Sequence, residues 1–233
     1  LLVLRGLMLV VANTCFFLAL VKMPVAEVVA IFFIAPVLIT ALSAILLKES
    51  VGLARWSSVA IGMAGVVIML RPGAEAIRWE GLFAIAAAFA YCCMQLLTRH
   101  MHTTASTATM VAYAQISLFI ASAVMGMLTG RGQFSDVGHT SLQFLLRSWT
   151  LPAESDLALW VLMGSVSAAG TYLVTRGYRL ASASVIAPFE YVAMPCAVVW
   201  GLMLYSEAPD RVAVFGVMLI IGSGLYVMRR ESS

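Results

Sequence analysis

Glu190 is the first residue of this sequence whose chemistry stands out against its surroundings. It lies in an apolar stretch, Ser184 to Ser206, that is long enough to cross a bilayer at about 1.5 Å per residue. A charged side chain at membrane depth costs on the order of 2.5–3.5 kcal/mol on insertion scales, so it normally faces a partner or a wet cavity. We therefore predict that Glu190 lines a cavity, where it would couple protons or attract a cationic group. The alternative is a protonated, hydrogen-bonded structural acid.

Three prolines lie in apolar stretches, two of them beside Glu190 and its neighbour Tyr191. Pro188 and Pro195 lie on either side of the acid, and Pro36 lies in an equally apolar stretch nearer the N-terminus. A proline frees a backbone carbonyl, which is tolerated at membrane depth only where neighbours or cavity water satisfy it again. We predict that these prolines are helix hinges beside the cavity.

Further polar residues within apolar stretches are candidate cavity residues. Asn13 lies mid-depth in the first stretch, and Tyr91 with Gln95, and Tyr172, lie in later ones. Tyr91, Tyr172 and Tyr191 could stack on a flat solute. The alternative for each is a hydrogen bond to a neighbouring helix, worth about 0.6 kcal/mol on average. Positions three, four and seven apart share a helix face, and two stripes have this spacing: Tyr91, Gln95 and Thr98, and Ser165, Tyr172, Thr175 and Arg179.

Motifs for other chemistry are missing from the sequence. It contains no CxxC, HExxH, GxSxG or Gly-rich phosphate loop, and its four cysteines all fall in apolar stretches. We expect no enzyme activity, no metal site, no disulfide and no cofactor. Because no ATP motif exists, any pumping must draw on an ion or solute gradient.

Composition sets the class of protein. Hydrophobic residues make up 62% of the chain and charged residues 11%, with a mean hydropathy of +0.99. A soluble domain has about 45–50% apolar and about 25% charged residues. The sequence therefore predicts an all-α polytopic membrane protein. The formal charge of +3 is small and scattered, which argues against a nucleic-acid partner.

Hydropathy divides the chain into eight predicted membrane spans joined mostly by short charged connections. Alternate connections and the two termini carry eight Lys and Arg residues, Arg5 among them, against six on the opposite side. The positive-inside rule then places both termini in the cytoplasm. The spans are Leu4 to Val21, Val25 to Leu47, Ala54 to Leu70, Glu80 to Thr98, Thr104 to Thr129, Leu157 to Arg179, Ser184 to Ser206 and Val212 to Met228.

One connection is long, from about residue 130 to 156. Its middle, Ser141 to Trp149, mixes apolar and polar residues, which is typical of a short helix at the membrane interface; the alternative is a disordered loop. Residue 1 already lies at the edge of a span, so we expect the chain to begin inside a larger protein.

The sequence contains signs of an internal repeat. Pro36 and Pro195 are 159 residues apart, and Glu49 and Glu207, both at span exits, are 158 apart. Five spans separate equivalent positions, and an odd number reverses the orientation, as in the inverted repeats of secondary transporters. Further pairs at an offset of 159 are Gly65 with Gly224, Met69 with Met228 and Arg71 with Arg230.

These features resemble the drug/metabolite transporter superfamily, EamA type. The resemblance rests on proline-containing helices with an acid at the exit, on the recurrence of about 158 residues, and on Ala187-Pro188-Phe189-Glu190-Tyr191. It implies ten transmembrane helices in two inverted five-helix repeats around a central cavity, and movement of small organic solutes by alternating access. The eight spans match helices three to ten. Residues 1–72 would then be the last three helices of the first repeat, and 73–233 the second repeat.

From the residues and the resemblance together we predict a secondary-active transporter of a metabolite, amino acid or drug-like solute. A non-transporting membrane subunit or scaffold is the alternative. The expected partners are the lipid bilayer and the solute, with proton coupling and a homodimer left open. The expected location is a bacterial inner membrane, crossed several times.

Overall fold

The apolar stretches of the sequence form helices in the structure. The computed structural model describes residues 1–23, 25–71, 80–130, 143, 146, 148–149, 153–205 and 210–231, and these ranges contain no β-strand. Within them, eight helical stretches are long and apolar enough to cross a membrane. The predicted all-α polytopic membrane protein is thereby confirmed, since a helix pairs most of its backbone groups within the segment, as lipid requires.

The helix boundaries lie close to the predicted spans, with two of the spans broken into shorter pieces. The helices are α1 (Leu2–Leu20), α2 (Val25–Phe32), α3 (Ala35–Leu46), α4 (Leu53–Leu70), α5 (Gly81–His100), α6 (Thr107–Thr129), α7 (Leu157–Leu180), α8 (Ala183–Ile186), α9 (Ala193–Tyr205) and α10 (Arg211–Glu231), with 3₁₀ segments at Glu154–Asp156 and Ala187–Val192.

The two broken spans are interrupted beside prolines. Pro36 lies in the first turn of α3, and its missing N–H cannot bond the carbonyl four residues earlier, so α2 ends at Phe32. Pro188 lies in the first turn of the 3₁₀ segment that separates α8 from α9. Pro195 is the third residue of α9. That these prolines act as hinges stays a prediction.

Helices α4 and α10 pack against each other at two glycines. A Cβ added at Gly65 would lie 2.8 Å from the Gly216 carbonyl oxygen, and one added at Gly216 would lie 2.7 Å from the Gly65 carbonyl oxygen. Because both neighbours are backbone atoms, neither can move aside easily. The missing side chains therefore let the two helix backbones approach closely, as small residues commonly do between membrane helices.

Gly65→Ala is expected to lower the free energy of unfolding by about 1–3 kcal/mol, because the added methyl group overpacks this helix contact. Gly222→Ala is the matched control on α10, since a Cβ there meets nothing within 4 Å. Thermal unfolding in detergent measures both variants. Equal unfolding midpoints for the two would contradict the close packing.

One end of this helix pair carries an exposed ion pair. Arg71 Nη2 lies 2.5 Å from Asp210 Oδ2, and Asp210 Oδ1 accepts a 2.8 Å bond from the Ala213 N–H in the first turn of α10. The Ala213 N–H, followed by the Arg71 guanidinium, holds the pKa of Asp210 below its ordinary value. Both side chains are about half exposed, so we assign the pair little stability.

Arg5 is buried between helices and is not the exposed charge that the positive-inside count assumed. That count treated Arg5 as a charge at the cytoplasmic edge, whereas its side chain is only 1% exposed. Its guanidinium donates to Thr98 Oγ1 at 2.7 Å, to the Met110 carbonyl at 2.9 Å and to Thr175 Oγ1 at 2.9 Å. Arg5 therefore joins α1 to α5, α6 and α7 through neutral acceptors.

Three sequence-based predictions fall where the structure describes little. The predicted boundary between the repeats, at residues 72 and 73, and the exit acid Glu207 lie outside the described residues. Most of the predicted interfacial helix from Ser141 to Trp149 does too. The division into two repeats therefore stays a prediction.

Candidate functional site

The Glu190 carboxylate is held by tyrosines from two different helices. Tyr91 of α5 donates a 2.8 Å hydrogen bond to Glu190 Oε1, and Tyr178 of α7 donates a 2.6 Å bond to the same oxygen. No hydrogen bond to Oε2 is present among the described residues, and Glu190 is only half-buried. One carboxylate oxygen is thus fixed in place while the other can accept a bond from a solute.

Gln95 extends this arrangement by one turn of α5. Its Nε2 donates to Tyr91 Oη at 2.7 Å, so the tyrosine hydroxyl lies between an amide and a carboxylate. Gln95 is 1% exposed, and its Oε1 has no hydrogen-bond partner in the described part of the chain. An unsatisfied buried acceptor costs about 1–3 kcal/mol. A solute N–H or O–H group would satisfy it.

Tyr191 follows Glu190 in the 3₁₀ segment Ala187–Val192 and is fully buried. Its ring centroid lies 5.8 Å from that of Phe33, and a Cβ added at Gly62 would be 2.4 Å from the ring. The Tyr191 hydroxyl is buried without a hydrogen-bond partner among the residues described. Gly62 therefore provides the space that this ring fills.

A connected row of aromatic rings leads from α1 to the tyrosines. The centroids of Phe16 and Phe32 are 5.3 Å apart, and those of Phe32 and Tyr91 are 5.4 Å apart. Phe33 joins the row at 6.5 Å from Phe32 and continues it to Tyr191. The phenylalanines carry no signal in the sequence, because an aromatic residue in an apolar helix cannot be distinguished there from ordinary packing.

Two of the predicted cavity residues do not join this cluster. Tyr172 is 38% exposed on α7, and Asn13 Nδ2 donates to the Leu9 carbonyl of its own helix at 3.1 Å. Neither bonds to Glu190 in the structure. The cluster thus contains Glu190, Tyr91, Gln95 and Tyr191 of the predicted set, and Asn13 and Tyr172 lie apart from it.

Tyr178 is a further residue of the cluster that is not in the predicted set. It follows Thr175 by three residues, so the two share a helix face, and both are buried. The predicted stripe on α7 joined Thr175 to Tyr172 instead. A signal was available in the spacing, but a helix alone does not show which of two adjacent faces turns inward.

The cluster suits reversible binding better than covalent chemistry. It offers an acid, phenol hydroxyls, an amide and several rings, which can accept N–H donors, attract a cation and stack on a flat group. Within the described ranges, no group of three His, Cys, Asp or Glu side chains is placed to hold a metal ion. Aromatic rings together with a few polar groups are also what small-molecule sites commonly present.

Sequence comparisons relate the chain to transporters. The EamA-like transporter family model matches residues 1–71. A riboflavin transporter of Rhizobium johnstonii is 25% identical over 212 residues, which cover 91% of this chain and 64% of the relative. An S-adenosylmethionine uptake transporter of Rickettsia prowazekii is 24% identical over 229 residues, covering 98% and 71%. An uncharacterised transporter of Helicobacter pylori is 29% identical over 223 residues, covering 93% and 69%.

The chain thus spans between 64% and 71% of the length of these three relatives. The solved structures that match include a crystal structure with a TM-score of 0.81 at 18% identity, covering 99% of this chain and 76% of that one. The fold is therefore shared along nearly all of this chain. The family and the named relatives are transporters rather than enzymes. In the family model over residues 1–71, in these relatives and in the arrangement of its apolar helices, the chain is similar to EamA-type transporters of the drug/metabolite transporter superfamily.

Proposed function

We propose that this protein is a secondary-active transporter that moves a small organic solute by alternating access, with the solute bound beside Glu190. The observation that carries the proposal is the Glu190 carboxylate, which two tyrosines from α5 and α7 hold by the same oxygen. An ionisable residue in a membrane helix normally marks a substrate or ion pathway. The seventh span is also broken at this point, as in transporters whose binding sites lie at discontinuous helices.

The cluster favours a solute with a flat ring and donor groups or a positive charge. Glu190 Oε2 and Gln95 Oε1 are both available as acceptors, and the rings of Phe32 and Tyr91 lie beside them. Riboflavin and S-adenosylmethionine, named for two relatives, each combine a flat heteroaromatic ring with polar donor groups. We propose a solute of this kind for the present chain.

Glu190 is also the proposed coupling group. A carboxylate that exchanges a proton as the solute arrives or leaves would link transport to a pH gradient, as carboxylates do in membrane pumps and transporters. Tyr91 and Tyr178 would hold the carboxylate in one position through this exchange. Because the named relatives are bacterial, we propose the bacterial inner membrane as the site of this transport.

The test is uptake and efflux in proteoliposomes, with and without a pH gradient, for a panel that includes riboflavin and S-adenosylmethionine. Glu190→Gln keeps the shape of the side chain and removes its charge. It is expected to reduce the pH-driven component about tenfold or more, since hydrogen bonds to charged groups contribute about 1.5–3 kcal/mol. Asp210→Asn, which neutralises an exposed acid outside the cluster, is the matched control and should transport normally.

Two outcomes would contradict the proposal in different ways. Normal pH-driven transport by Glu190→Gln would show that the site is wrongly assigned. Failure of every solute to move, together with no labelling of Gln95→Cys by a water-soluble thiol reagent, would instead favour a non-transporting subunit. In such a subunit the polar residues would be buried between helices and no solvated cavity would exist.

A further inference from the structure

One carboxylate at the end of the helix bundle receives four hydrogen bonds from distant parts of the chain. Glu49, in the connection between α3 and α4, accepts from Arg99 Nε at 3.2 Å and from the Ala183 N–H at 3.1 Å through Oε1. Its Oε2 accepts from the Ser184 N–H at 3.3 Å and the Ser184 hydroxyl at 3.1 Å. We call Glu49, Arg99, Ala183 and Ser184 the Glu49 clamp.

The helix ends around the clamp are joined to it and to each other. Arg55, in the first turn of α4, donates to the Ser184 hydroxyl at 2.9 Å, and Arg99 also donates to the Arg179 carbonyl at the end of α7 at 3.2 Å. Arg179 in turn donates to Thr107 Oγ1 at 2.7 Å. The ends of α5 and α7 and the starts of α4, α6 and α8 are therefore connected through charged side chains.

A tightly packed apolar cluster lies behind the clamp. Cys92 and Ala183 are fully buried in it, and Ala183 is a member of both the clamp and the cluster. Tyr178, which donates to Glu190, belongs to the same cluster. The cluster therefore links the clamp at this end of the bundle to Tyr178 and, through Tyr178, to Glu190. The other members are Ile39, Leu96 and Ala187.

We propose that the Glu49 clamp is the gate that closes this end of the transport path, and that breaking it exposes the way to Glu190. The inference rests on the alternating access proposed above. All four bonds meet on one charged group, so a single change at Glu49 weakens them together. The minor state of a two-state protein is commonly populated at about 0.1–10%, so loss of such a contact is enough to shift the balance.

Cys92 provides a reporter for this gate, because it is fully buried in the cluster that shares Ala183 with the clamp. The protein used is the full chain in proteoliposomes with Cys15→Ala, Cys93→Ala and Cys196→Ala, which leaves Cys92 as its one thiol. The measurement is the rate at which a small water-soluble maleimide modifies Cys92. Glu49→Gln is expected to raise this rate about fivefold or more, the lower end of typical coupling between two states. Lys48→Gln, an exposed neighbour in the same connection, should leave the rate unchanged.

Ser184→Ala provides a second variant, which keeps the Glu49 charge and removes one of its donors. It should raise the labelling rate by less than Glu49→Gln does, and it tests the clamp even if Glu49→Gln does not fold. Wild-type labelling rates in every folded clamp variant would overturn the proposal. If Glu49→Gln loosened the whole protein, the proposal would also be overturned. Labelling of Val28→Cys measures this, because Val28 is fully buried near the start of α2. The labelling rate of Val28→Cys should not rise when Glu49→Gln is added.

The labelling of Cys92 does not depend on any solute, so the proposed gate and the proposed transport function are tested independently. Faster Cys92 labelling supports the gate whether or not the panel contains the right solute. Suppose that Glu49→Gln transports solute and has its Cys92 modified at the wild-type rates, while Glu190→Gln loses transport. The proposed gate is then wrong and the proposed function stands.

Discussion

Arg5→Ala is expected to lower the free energy of unfolding by about 3 kcal/mol or more. The substitution leaves a cavity where a long side chain was fully buried, and cavities of this size cost about 2–5 kcal/mol in protein interiors. It also removes the donor to the Met110 carbonyl and the Thr175 hydroxyl, and with it the contact of α1 to α6 and α7. Thermal unfolding in detergent measures the effect.

Arg5→Lys separates the geometry of this contact from its charge. A lysine ammonium is a compact point charge, so it cannot reproduce the fork that reaches Thr98, Met110 and Thr175 together. We expect an unfolding midpoint between those of wild type and Arg5→Ala. Arg176→Ala, an exposed arginine on α7, is the matched control. If Arg5→Ala is as stable as that control, Arg5 does not hold the four helices together.

Removal of both tyrosine hydroxyls, as Tyr91→Phe with Tyr178→Phe, is expected to reduce solute uptake about a hundredfold at low solute concentration. Each hydroxyl donates to Glu190 Oε1, and a hydrogen bond to a charged group contributes about 1.5–3 kcal/mol, or roughly tenfold or more. Each single variant should lose about tenfold. Tyr226→Phe, which alters a partly exposed tyrosine on α10, should transport normally.

A double-mutant cycle with Glu190→Gln tests whether the tyrosines act through the carboxylate. If they do, the tyrosine substitutions have little further effect once the charge on Glu190 is gone, because residues that share one network are not additive. Full additivity in the Glu190→Gln background would mean that Tyr91 and Tyr178 act independently of the acid. The initial rate of uptake into proteoliposomes is the quantity to compare.

Much of the fold was predictable because a membrane simplifies the physics. Backbone groups in lipid must be paired within the segment, so a long apolar stretch predicts a helical span almost directly. Eight such helical stretches are present among the described residues, two of them broken into shorter helices. The breaks beside Pro36 and Pro188 follow from the missing proline N–H. Spacing also predicted that Tyr91 and Gln95 share a face, and the two are hydrogen-bonded.

The rest of the candidate site depends on contacts between helices that no single helix encodes. The burial of Arg5 could not be predicted from the sequence, because the residues that it bonds to lie 93 to 170 residues away along the chain. Tyr178 was missed, and Tyr172 chosen in its place, because adjacent faces of α7 carry similar residues and packing decides which turns inward. The sequence marked Glu49 only as an acid at a span exit, and its bonds to Arg99 and to the start of α8 come from packing between helices.

Equilibrium binding of the transported solute to purified protein tests the central claim most directly, with wild type compared to Glu190→Gln and to the control Asp210→Asn. If the solute binds beside Glu190, the charge-neutral variant should bind about tenfold more weakly or worse, and the control should bind as the wild type does. An unchanged affinity in folded Glu190→Gln would contradict the claim, because the solute would then bind without the one carboxylate that Tyr91 and Tyr178 position.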